Sequence, residues 1–87
     1  MHEKRKPARS IDPLQWTYDD VFRFVACHVK WADANKFSEH RIGGQALGYL
    51  RVETLVEVLG ITLGDAANIK CEFERACKSY SRLDETN

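Results

Sequence analysis

Apolar residues in this chain recur three and four positions apart, and nowhere alternate with a period of two. That period commits the chain to helices and leaves no segment for a sheet. Val52, Leu55, Val56 and Leu59 fall at i, i+3, i+4 and i+7, one continuous stripe on a helix over residues 52–59. Gly60 follows at once and can take the left-handed conformation that ends a helix. Ala66, Ile69, Phe73, Ala76, Cys77 and Tyr80 share one face of a longer helix over 64–83. Asp65 lies in its first turn, and Lys78 and Arg82 lie near its end, which suits the helix dipole at both termini.

Three further helices precede these. Thr17 and Asp20 have capping-box spacing, although Asp replaces the preferred Glu or Gln. Asp19 and Asp20 sit at the positive end of the dipole, and Val21, Phe22, Phe24, Val25 and Val29 supply an apolar face. This first helix ends near Cys27 or His28, and Trp16 is expected to pack back on its first turn. Residues 31–40 form a second helix whose Trp31, Ala34 and Phe37 face inward. Gly43 and Gly44 break the chain, and 45–50 suffice for one short turn carrying Ala46, Leu47 and Leu50. The expectation is an all-α fold, a compact five-helix bundle with a long C-terminal helix.

Size and charge narrow the function. An 87-residue chain is one domain with a small core, burying about 60% of its unfolded surface. It has little room for an enclosed pocket and a catalytic constellation. The net charge is zero, so the whole chain sets up no field for nucleic acid or membrane. Lys4, Arg5, Lys6 and Arg9 nevertheless stand against Glu3 alone in the first ten residues. Residues 1–12 are expected to form a disordered basic leader, 13–83 the folded domain and 84–87 a tail. The leader is read as a solvated segment, with a nuclear-localisation or nucleic-acid patch as its functional alternative. Cys27, Cys71 and Cys77 are odd in number, lack CxxC spacing and follow no signal peptide. They are expected to be reduced thiols that pack as small apolar residues in a protein that is not secreted. No apolar run approaches a membrane span.

The residues also carry a family pattern. Trp16-Thr17-Tyr18-Asp19-Asp20-Val21 resembles the opening W-S/T-x-x-D/E-V of sterile alpha motif (SAM) domains. Phe37, Ile42, Gly44, Ala46, Leu47 and Leu50 match F-x-x-x-x-I-D-G-x-A-L-L-x-L, and the stretch from Leu59 to Ala66 matches L-G-I-x-L-G-x-A. The resemblance spans about Leu14 to Tyr80. Between Leu50 and Gly60 the chain has one residue more than the common pattern, a length shared by polycomb-group SAM domains. They also share I-x-G-Q-A-L and G-I/M-x-L-G-x-A.

The resemblance implies a SAM bundle that associates with itself or with another SAM domain head to tail, in a nuclear, polycomb-like transcriptional repressor or otherwise in the cytoplasm. A mid-loop surface around the short third helix would carry Glu39, Gly43, Gln45, Ala46, Glu53 and Glu57, with Ala46 at its centre. An end-helix surface at the start of the long helix would carry Thr62, Gly64, Asp65, Ala66 and Asn68, with Ala66 at its centre. Glu39, Glu53 and Glu57 could supply acids to the positive end of a partner's helix. Gly48 and Tyr49 interrupt the family's leucine run, and four further positions depart from the pattern. Gly43 stands where the family has Asp, and Arg51 where many members have Thr. Asp65 and Asn68 replace the Pro and Lys of the polycomb-type L-G-P-A-L-K-I. A dimer, a polymer, a hetero-partner and a rearranged interface are all compatible with these changes.

The remaining chemistry is sparse. Cys27 and His28 are adjacent on a helix, so they do not face each other. Cys71 and Cys77 fall on different faces, and a zinc site normally needs four converging ligands. No metal, cofactor or enzymatic activity is expected. The alternative function is RNA binding through Arg75, Lys78 and Arg82 on the last helix together with Lys4, Arg5 and Lys6. No aromatic residues interleave with that stripe to stack bases.

Overall fold

The computed structural model describes residues 11–86, with side chains through Arg82. The basic leader residues Lys4, Arg5 and Lys6 lie outside the described residues, so the placement of that patch does too. The described chain opens with a 3-10 turn at Pro13–Gln15, capped by Asp12, whose Oδ1 accepts the Leu14 N–H at 3.1 Å. Asp12, expected in the leader, is therefore part of the fold.

Helix α1 (Tyr18–Ala26) starts with a complete capping box. Thr17 Oγ1 accepts the Asp20 N–H at 3.1 Å, and Asp20 Oδ2 accepts the Thr17 N–H at 3.0 Å. The shorter acid thus serves where Glu is usual. Val21 and Val25 are fully buried. Trp16 reaches beyond the first turn of α1. Its ring lies 5.1 Å from Phe24 and, edge-on, 5.7 Å from Phe73 on the last helix. One aromatic cluster thereby joins the opening turn to the last helix.

Helix α2 (Trp31–Glu39) buries Ala34 and Phe37, but Trp31 is 66% exposed and touches Phe22 edge-on at 5.6 Å. The expected inward face fails at its first member for a geometric reason. Positions i and i+6 are about 120° apart around a helix, too wide for three residues to share a buried stripe. Helix α3 (Gly44–Tyr49) begins one residue earlier than expected and puts Gly44 against the 3-10 turn. The Gly44 N–H donates to the Trp16 carbonyl at 2.9 Å, and a Cβ at Gly44 would overlap the Pro13 carbonyl oxygen. Only glycine fits that approach.

Helix α4 starts as an α-helix at Val52–Thr54 and widens into a π-helical segment at Leu55–Leu59. Leu55 and Leu59 are buried as the stripe predicted. A π turn holds more residues than an α turn, which accommodates the longer spacing between Leu50 and Gly60. Gly60 closes the segment with φ 72° and ψ 26°, the left-handed cap expected of it.

Helix α5 (Leu63–Thr86) starts one residue before its expected beginning and continues past residue 83, so most of the expected tail is helical. Ala66, Ile69 and Phe73 are buried on it, against Val21, Val25, Phe37, Leu47 and Leu55 from the other elements. The described residues form five helices and the initial turn, without a strand. Cys27 and Cys71 are exposed and Cys77 is half-buried, so only Cys77 behaves as the packed small residue expected of all three.

Candidate protein-interaction surfaces

The end of α2, α3 and α4 enclose a shallow apolar groove. Ile42, Ala46, Leu50, Leu55, Val58 and Leu59 line it, with Thr54 among them, and His40 and Arg41 stand at the α2 end. Arg41 follows the C-cap His40 and is the one non-glycine residue with a positive φ among the described residues, at 55°. Helix C-termini favour glycine there, because a Cβ is strained in that conformation.

Of the expected mid-loop residues, Ala46 lines this groove. Gly43 is half-buried, and Gln45, Glu39, Glu53 and Glu57 are exposed around α3 and α4 without lining it. Glu39 Oε2 accepts the Asn35 side-chain N–H at 3.1 Å, one turn back on α2. Val58 was not among the expected residues. It falls outside the periodic stripe and is 57% exposed at the groove. An apolar residue between two stripe positions on a short helix was the available signal.

The start of α5 forms the other surface. Thr62 Oγ1 accepts the Asp65 N–H at 3.1 Å and so caps the helix. Gly64 and Asn68 are exposed and Asp65 is half-buried. Ala66 is 0% exposed and belongs to the core. It therefore does not stand at the centre of an exposed surface in the isolated domain. It faces the bundle because it opens the α5 stripe that continues through Ile69 and Phe73. The exposed apolar residue here is Leu63, at 64%, which lay just ahead of the expected helix and was not singled out.

Lys70 links the two regions. Its ammonium donates to the Leu47 carbonyl at 2.6 Å and the Gly48 carbonyl at 3.4 Å, satisfying acceptors at the end of α3. Burial pushes its pKa below the usual lysine value, with Glu74 pulling the other way. Burial likewise raises the Cys77 thiol, helped by the nearby Asp12. Lys70 is thus a structural cation on α5. The basic stripe of Arg75, Lys78 and Arg82 borders a second shallow depression with Phe24 and Ala76. Glu72 stands in the same depression and pairs with Arg75 at 3.4 Å, which dilutes the stripe's positive charge. No group of three His, Cys, Asp or Glu side chains suited to a metal occurs among the described residues, and no described helix is long and apolar enough to cross a membrane.

No family model matches the chain. Its fold matches that of a solved polyhomeotic SAM domain with a TM-score of 0.65 and 32% identity, over 82% of this chain and 97% of that one. The chain belongs to the SAM domain family. Among curated proteins, this SAM domain is 35% identical over 77 residues to the mouse polycomb protein SCMH1, covering 84% of the chain and 11% of that protein. It is 36% identical over 76 residues to mouse Sex comb on midleg-like protein 4, covering 79% of the chain and 17% of that protein. Mouse Polyhomeotic-like protein 1 is 33% identical over 78 residues, 88% of the chain and 7% of that protein. The chain thus spans a small fraction of these relatives, between 7% and 17% of their length. Its all-α bundle is the SAM fold, and within that family it is similar to polycomb-group members.

Proposed function

We propose that this SAM domain is a non-enzymatic protein–protein interaction module. It binds a second SAM domain, its own or another's, head to tail. The groove beside Ala46 receives the start of the partner's α5. The observation that carries this reading is a matched pair of unlike apolar surfaces: an open groove bordered by Val58, and an exposed Leu63 on a different element. A contact between two different patches is heterologous, so its repetition generates a ring or an open filament. The polycomb names of the relatives support a place in a nuclear repressor. The basic stripe favours no RNA-binding alternative, since Glu72 interrupts it.

Sedimentation velocity over a concentration series tests the reading. The wild type is expected to form larger species as concentration rises, and Ala46→Asp and Leu63→Arg each to return it to monomer. A wild type that stays monomeric at high concentration, indistinguishable from both variants, removes homotypic association. The same surfaces would then be tested against a polyhomeotic SAM domain.

A further inference from the structure

We infer that the head-to-tail contact is charge-selective, and that its favoured partner is a second copy of this chain, with Asp65 at the start of one α5 meeting the Arg41 rim of the next molecule's groove. The inference rests on the proposed head-to-tail reading and adds the identity of the partner. Three observations converge on it. First, Arg41 brings a positive charge to the groove beside His40, while Glu39, Glu53 and Glu57 do not line it. Second, Arg41 places a long cationic side chain in a conformation that favours glycine. It forms no ion pair among the described residues.

Third, the start of α5 is made less favourable to an acidic partner. Thr62 occupies the Asp65 N–H, and the Asp65 carboxylate in the first turn offsets the positive end of the dipole. Asp65 itself has no ion pair among the described residues. The four departures from the family pattern that alter charge act in one sense, while Gly48 and Tyr49 carry none. Gly43 and Arg51 make the groove side more positive, and Asp65 and Asn68 make the α5 side more negative. Leu63 supplies the apolar contact, and the charges at its edge set which partner is accepted.

The test uses two blocked chains that can form only one contact. Leu63→Arg leaves a chain with a free groove. Ala46→Asp, or Val58→Asp at the more exposed position, leaves a chain with a free α5 start. Mixed in a calorimeter, they are expected to bind one to one, more weakly as salt is raised. Adding Arg41→Glu to the first chain, or Asp65→Lys to the second, is expected to weaken binding by about tenfold. Combining both reversals is expected to recover most of that loss, as a double-mutant cycle requires of a direct pair. If the blocked chains bind but neither reversal changes the affinity, or the two together recover nothing, the charge pairing is wrong while the head-to-tail contact stands. If the blocked chains do not bind at all, this inference falls together with homotypic association, and the head-to-tail reading stands only for a different SAM domain as partner.

Discussion

At the scale of single residues, Arg41 and Ala66 separate stability from association. Arg41 has φ 55° at the end of α2, a conformation in which a Cβ is unfavourable by about 1–2 kcal/mol. Glycine relieves that strain but adds unfolded-chain freedom. Arg41→Gly is therefore expected to leave stability unchanged or raise it by up to about 1 kcal/mol in urea unfolding. The same substitution should weaken groove binding. Loss of both together would mean that Arg41 holds the fold rather than a partner. Ala66 behaves in the opposite way. It is completely buried, so Ala66→Glu places an unpaired carboxylate in the core. A loss of about 3 kcal/mol or more is expected, visible as a large drop in the urea midpoint. A well-folded Ala66→Glu would require the start of α5 to move away from the bundle.

At the scale of elements, the caps and stripes are legible in the sequence because they are local. The Thr17–Asp20 box, the Gly60 cap and the Leu55–Leu59 burial depend on residues a turn apart, and each is present. Less legible is the change of winding within α4. Leu55–Leu59 is π-helical, yet its apolar spacing suits an α-helix nearly as well, so periodicity alone does not distinguish them. The role of Gly44 is equally hidden. Glycine beside Gly43 reads as a chain break, whereas Gly44 lies inside α3 because the Pro13 carbonyl occupies the space of a side chain. Gly44→Ala must push the 3-10 turn off α3. It is expected to destabilise the domain by about 2–3 kcal/mol, whereas a residue serving only as a helix breaker would gain from alanine. Thermal unfolding distinguishes the two signs.

At the scale of the whole molecule, the Trp16, Phe24 and Phe73 cluster ties the opening turn to α1 and α5, so the domain should unfold as one unit. With Trp31→Phe, Trp16 becomes the only tryptophan, since the chain has two. Its fluorescence and the helical circular dichroism are expected to share one urea midpoint. Separate midpoints would show that the opening turn detaches before the helices melt. The number of helices, their order and their caps are written in residues one to four positions apart, where helical geometry decides the outcome. Which apolar residues stay outside is not. Trp31, Val58 and Leu63 are exposed while Ala66 is buried, because burial depends on what a distant element brings opposite each face. The groove with Arg41 at its end arises only where α2, α3 and α4 converge. A partner's binding site is made of such convergence, and helical spacing along one segment carries no record of it.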